Sequence, residues 1–131
     1  MRILLDTSCL YRLMMQPARL SDAERLILAN QTLQIYVSAV SIWEMRLKFR
    51  SLERSGKRKS PFDPNLVLSL LEDQDIIFLP MTPSHAARPL ETPVLHKDPF
   101  DEMLLVQAQE EGLKLLTVDR QITGHPLAIR A

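Results

Sequence analysis

The sequence predicts a single α/β domain, a central and mostly parallel sheet of about five short strands flanked by helices. Short apolar runs of strand length alternate with longer segments of helical periodicity, joined by short connections. The apolar run Arg2–Leu5 that opens the chain lacks inside–outside alternation, the pattern of a strand buried on both faces of a parallel sheet. A chain of 131 residues buries one core, and no repeat, low-complexity tract or composition shift divides residues 1–131 further.

The first strand, Arg2–Leu5, runs into Asp6-Thr7-Ser8, good helix-capping chemistry, and Leu10, Leu13 and Met14 give a brief helical spacing before Pro17. Ser21-Asp22-Ala23-Glu24 opens a second helix in capping-box style, with Leu20, Leu26 and Ile27 as its buried side. A second strand, Gln34–Val37, ends on Ser38, which can cap a long helix reaching about Arg54. Val40, Trp43 and Leu47 lie on one stripe of that helix, and Ile42, Met45 and Phe49 on the other. Such a helix is sandwiched in the core or shared with a partner chain.

Gly56, Pro61, Asp63 and Pro64 mark a loop, after which Pro64 starts a helix with Leu66, Val67, Leu70 and Leu71 inward. Ile76–Leu79 is a third strand closed by Pro80, and Thr82-Pro83-Ser84 opens a short helix to about Leu90. A helix from Pro99 to about Glu111 is stopped by Gly112. The strand Lys114–Val118 then meets Asp119, and Leu127-Ala128-Ile129 forms the last strand.

Composition removes several functional classes. Acids and bases number 16 each, so no overall field advertises a polyanionic partner. The 3 glycines stand in no phosphate-loop setting. The single Cys9 forbids an internal disulfide, fits a reducing compartment, and reads as a small core residue. No run reaches membrane-spanning length and no signal-peptide pattern opens the chain, so the expected location is the cytoplasm, with no membrane partner. Ser8, where a haloacid-dehalogenase-type phosphatase needs a second aspartate, excludes that class of phosphoryl transfer.

The chemistry is carried by acids. Asp6 and Asp119 each follow an apolar strand directly, and in an open parallel sheet that is where ligands bind. Either could instead be a helix cap or turn former. Glu44 borders the stripe of Val40 and Leu47, where a carboxylate needs a partner. That partner is a metal ion, the backbone of a capping box begun by Ser41, or an arginine. In the segment from His96 to Glu102, Asp98 precedes a first-turn proline and reads as an N-cap. Asp101 is its reciprocal partner or points to the sheet edge, and Glu102 faces solvent. Asp6, Glu44, Asp101 and Asp119 gathered at one edge would repel each other without a cation, and Mg²⁺ or Mn²⁺ prefers such oxygen ligands. A cation so placed activates water against a phosphodiester.

The order Leu4-Leu5-Asp6-Thr7, Ser41-x-x-Glu44, His96-Lys97-Asp98-Pro99-Phe100-Asp101-x-Met103-Leu104 and Leu116-Thr117-Val118-Asp119 resembles the PIN-domain nucleases, above all the VapC-type toxins of bacterial toxin–antitoxin pairs. The resemblance spans nearly the whole chain. It implies RNA cleavage at Asp6, Glu44, Asp101 and Asp119 with bound Mg²⁺ or Mn²⁺, supported by Thr7, Ser41, Asp98 and Thr117. It further implies a homodimer inhibited by a VapB-like antitoxin. Ser8 and Arg12 depart from close relatives, which often carry histidine and tryptophan there. The competing reading is a non-catalytic PIN-fold module whose acidic groove binds a basic partner.

A basic segment, Arg46, Lys48, Arg50, Arg54, Lys57, Arg58 and Lys59, is either a solvated face and loop or an RNA-backbone contact through Lys57, Arg58 and Lys59. His85, His96 and His125 share no metal-ligand spacing.

Overall fold

The computed structural model describes residues 1–51, 56, 63–95 and 97–130. Its sheet is built from β1 (Arg2–Leu5), β2 (Gln34–Ser38), β3 (Ile76–Leu79), β4 (Lys114–Thr117) and β5 (Ala128–Arg130), in the order β3-β2-β1-β4-β5. Every pairing is parallel, with Leu5 opposite Leu116 between β1 and β4. The helices are α1 (Thr7–Met15), α2 (Asp22–Leu28), α3 (Ala39–Arg50), α4 (Pro64–Glu72), α5 (Pro83–Ala87) and α6 (Pro99–Glu111), with a short 3₁₀ turn at Pro17–Arg19.

The unalternating strand β1 lies at the centre, and Ile3, Leu4 and Leu5 are all buried. Ile3 and Leu5 join one core cluster with Cys9, Leu10, Met45 and Val67. Leu4 joins the other with Val40, Leu104, Leu105 and Leu115. Helix α3 feeds both, Val40 to one and Met45 to the other, so it is sandwiched. The chain winds outward from β1 through β2 to β3 and then crosses to β4 on the other side of β1. That reversal makes the carboxyl ends of β1 and β4 the topological switch point, the usual ligand position in such sheets.

Several boundaries shift for identifiable reasons. Helix α3 ends at Arg50, short of the expected Arg54, where Ser51 turns to extended backbone (φ -86, ψ 142) and its hydroxyl caps the Leu47 carbonyl at 2.9 Å; Arg54 itself lies outside the described residues. Helix α5 stops at Ala87 and not Leu90, since Arg88 precedes Pro89 and is pushed into extended backbone. Strand β5 begins at Ala128 because the Leu127 N–H bonds the His125 ring at 3.2 Å. Gly112 ends α6 at φ 66, the left-handed conformation a glycine reaches without a Cβ clash.

Helix faces shift too. Leu20 is buried, but Leu26 is exposed, since the inward side of α2 is held by Glu24. On α4 only Val67 and Leu71 are buried, while Leu66 and Leu70 are exposed. On α3, Trp43 and Leu47 leave the predicted buried stripe, and Ser41, Glu44 and Met45 face inward. Among the described residues no helix is long and apolar enough to cross a membrane.

Candidate active site

Asp6 stands where β1 becomes α1. Its backbone N–H still extends the sheet to the Leu116 carbonyl at 3.1 Å, while its side chain caps the helix. Oδ1 accepts the Cys9 N–H at 2.6 Å, and Oδ2 accepts the Thr117 hydroxyl at 2.6 Å. Asp6 is therefore both a capping residue and part of the strand-end cluster. Burial pushes its carboxyl above the ordinary range, against the lowering effect of Thr117, the Cys9 N–H and the Arg12 charge.

Thr117 serves two acids. Its oxygen also accepts the Asp119 N–H at 3.0 Å, and Asp119 Oδ1 accepts the Gln121 N–H at 2.9 Å. The parallel register of β1 against β4 thus lets one hydroxyl join the Asp6 carboxylate to the Asp119 backbone, while the Asp119 carboxylate closes its own turn onto Gln121. Thr7 ties this cluster to α3, its hydroxyl donating to Ser41 Oγ at 3.0 Å within the core.

One helical turn beyond Ser41 comes Glu44, buried like the serine. The capping-box alternative for Ser41 and Glu44 fails, because Ser38 caps α3 and accepts the Val40 N–H at 2.9 Å. The arginine alternative is corrected to a lysine: Lys48 Nζ lies 2.7 Å from Glu44 Oε2, one further turn along the helix. Lys48 is thereby separated from the basic segment to which charge pattern alone assigned it. Its burial disfavours the charge, but the Glu44 carboxylate outweighs that and raises its pKa, with smaller help from Tyr11 and Asp98.

Asp98 caps α6 as its position before Pro99 predicts, accepting the N–H groups of Phe100 at 2.8 Å and Asp101 at 3.3 Å. Asp101 follows in the first turn, half-buried, and Glu102 is exposed. The Phe100 ring meets Trp43 edge-on at 5.1 Å, fixing the start of α6 against α3. The residues Lys57, Arg58, Lys59 and His96 lie outside the described residues.

Among the described residues, no three His, Cys, Asp or Glu side chains converge as a metal cage. The donor chemistry nonetheless fits a hard divalent cation. The acids are all-oxygen ligands, and the Lys48 ammonium already occupies a cation's place beside Glu44. A cavity of about 820 Å³, lined by Trp43, Arg46, Phe49, Arg50 and Leu68 among others, touches none of Asp6, Glu44, Asp101 or Asp119.

Two buried polar clusters escape sequence reasoning. Arg12 Nη2 pairs with Glu24 Oε2 at 2.8 Å, and Glu24 Oε1 closes the predicted capping box on the Ser21 N–H at 3.0 Å. Although burial opposes it, these contacts hold the Glu24 carboxyl below its ordinary range. The capping motif revealed the helix start but not its ion pair. In the second cluster, buried His85 contacts Glu111 at 2.8 Å, and Gln107 bridges His85, the Pro80 carbonyl and the Ser38 hydroxyl. Gln107 lies two turns beyond Phe100 on a helix of ordinary polarity, so no spacing flags it.

Fold and site together define a doubly wound α/β domain in which Asp6 and Asp119 follow the two strands at its topological switch point. A profile of the PIN domain matches residues 3–124, and the chain belongs to the PIN-domain family. PIN domains are in general nucleases that use divalent metal ions. A search of curated protein sequences finds no significant match. Two solved structures share the fold. VapBC2 from Rickettsia felis, bound to a DNA fragment from its promoter, aligns with TM-score 0.64 at 17% identity, over 100% of this chain and 98% of that one. FitAcB from Neisseria gonorrhoeae aligns with TM-score 0.56 at 20% identity, over 98% and 96%.

Proposed function

We propose that this protein is a cytoplasmic, divalent-metal-dependent endoribonuclease, the toxin of a VapBC-like toxin–antitoxin pair. The observation that carries the reading is the Thr117 hydroxyl, which donates to the Asp6 carboxylate and accepts the Asp119 backbone N–H at the switch point of a PIN domain, with Glu44 buried on α3. Asp6, Glu44, Asp101 and Asp119 are the residues to hold Mg²⁺ or Mn²⁺. When bound, the ion neutralises phosphodiester charge and activates the attacking water.

The chain's own groups do the positioning. Thr117 orients the Asp6 carboxylate and fixes the Asp119 backbone with one hydroxyl, and Asp98 fixes the helix start that carries Asp101. Thr7 and Ser41 lock α1 to α3 and so set Glu44 relative to Asp6. The partnership with an antitoxin draws support from the two complexes that share the fold. A homodimer agrees with the exposed apolar side chains Leu66, Leu70, Ile77 and Phe78, which a partner surface would cover.

The test is cleavage of single-stranded RNA by the purified protein in Mg²⁺ or Mn²⁺, repeated with folded Asp101→Ala. Cleavage that needs the ion and disappears in the variant supports the reading, and cleavage persisting in EDTA overturns it. A second reading, a non-catalytic module that binds a basic peptide, is favoured by one observation: Glu44 already engages an ammonium group. Calorimetry showing no metal binding while a basic peptide binds would establish it instead.

A further inference from the structure

We propose that Lys48 is the exchangeable resident cation of the acid edge, neutralising Glu44 until a divalent ion takes that carboxylate. Metal entry and the withdrawal of Lys48 from Glu44 are then one exchange reaction. The inference rests on the metal-site reading above and concerns how this chain prepares the site for its ion.

Glu44 is only 7% exposed, and a carboxylate so buried needs a compensating charge. Lys48 supplies it at 2.7 Å in the favourable i,i+4 order, glutamate first. The two ends of the pair differ in accessibility, with side-chain exposure of 46% for Lys48 and 9% for Glu44. The carboxylate is anchored in the protein while the ammonium sits at the solvent boundary. Rotation about its flexible stem returns Lys48 to water without repacking the core.

The contrast is the Arg12–Glu24 pair at 2.8 Å, where the exposures are 16% and 1%. Both partners there are enclosed, and Ser21 holds the second carboxylate oxygen at 3.0 Å. That pair is a fixed clamp; the Glu44–Lys48 pair is open on its cationic side.

An internal cation competes with an external one. Removing it strengthens metal binding, and tightening it weakens metal binding. The experiment is calorimetric titration of Mn²⁺ into the full-length protein, alongside melting in EDTA and in Mn²⁺. Lys48→Met is expected to bind Mn²⁺ about three- to tenfold more tightly than wild type, the range set by a partly exposed ion pair. It should melt lower than wild type in EDTA and gain more from Mn²⁺. Lys48→Arg keeps the charge and tests the proposal if the methionine variant does not fold. Its guanidinium grips a carboxylate in bidentate fashion, so Mn²⁺ affinity is expected to fall severalfold. In Glu44→Gln the effect of changing Lys48 should disappear. Wild-type binding of Mn²⁺ with unchanged affinity in the folded Lys48 variants overturns the proposal alone. No Mn²⁺ binding in any variant overturns the metal-site reading beneath it.

Discussion

Asp6 and Glu24 are carboxylates buried almost equally, 3% and 1% exposed, and the fold treats them in opposite ways. Glu24 has a full partner: the Arg12 guanidinium on one oxygen and the Ser21 N–H on the other, which together depress its pKa despite burial. Asp6 accepts from the Thr117 hydroxyl and the Cys9 N–H and feels the Arg12 charge without pairing with it, and burial prevails, so its pKa is raised. Neutral donors do not offset the desolvation of a charge; a fixed cation does. Arg12 sits one helical turn beyond Ser8 and directs Nη2 to Glu24. One acid is finished as structure. The other makes no ion pair among the described residues, which suits the metal-ligand role proposed for it.

The comparison can be broken at either end. The largest effect is expected from Arg12→Met, which strands Glu24 as an unpaired buried charge and costs about 3 kcal/mol, or about 10 °C in Tm. Arg12→Met with Glu24→Leu should recover most of that loss, because no buried charge remains. Calorimetric melting in EDTA measures both. Thr117→Val removes the one hydroxyl that serves Asp6 and Asp119 together. It should cost about 1.5 kcal/mol and raise the Asp6 pKa further, readable by carboxyl NMR titration.

Asp6→Asn is expected to move the other way. Asparagine caps a helix as well as aspartate does and carries no charge to desolvate. In EDTA at pH 7 the variant should be more stable than wild type by about 1 kcal/mol while losing activity, a trade expected at a functional site. An Asp6→Asn protein less stable than wild type would remove the contrast with Glu24.

The smallest effect is in pH dependence, and its sign differs between the two acids. Glu24 lies below its ordinary 4.5, so its stabilisation is present above that value and lost as pH falls through its folded pKa. Asp6 lies above its ordinary 3.8, so its contribution is full below that value and lost as pH rises through its folded pKa. Melting against pH in EDTA should therefore show Glu24→Gln flattening the acid-side loss, and Asp6→Asn gaining over wild type as pH rises.

Much of this was written locally in the chain. The apolar runs ending on Asp6 and Asp119 located the two strand ends at the switch point, and Asp98-Pro99 located the start of α6, because caps and strand ends depend on neighbours in sequence. What could not be read depends on where the surface falls. Trp43, Leu47, Leu66 and Leu70 satisfy helical periodicity yet are exposed, since apolar spacing does not say how wide a face the sheet covers. Long-range pairs such as Arg12–Glu24, and the Gln107 bridge between α6, His85 and Ser38, arise from tertiary proximity. The Glu44–Lys48 pair had a visible i,i+4 spacing but was hidden inside a run of basic residues.

Asp6 makes no ion pair among the described residues, and the proposed ribonuclease would use it to hold a divalent cation. The most direct test of that role is the cleavage of single-stranded RNA in Mn²⁺ by wild type and by Asp6→Asn, with stability measured on the same samples. The account predicts cleavage by the wild type and less than about 1% of that rate in a variant that is at least as stable. Wild-type cleavage rates in Asp6→Asn, or equal cleavage by the wild type in EDTA, would contradict it.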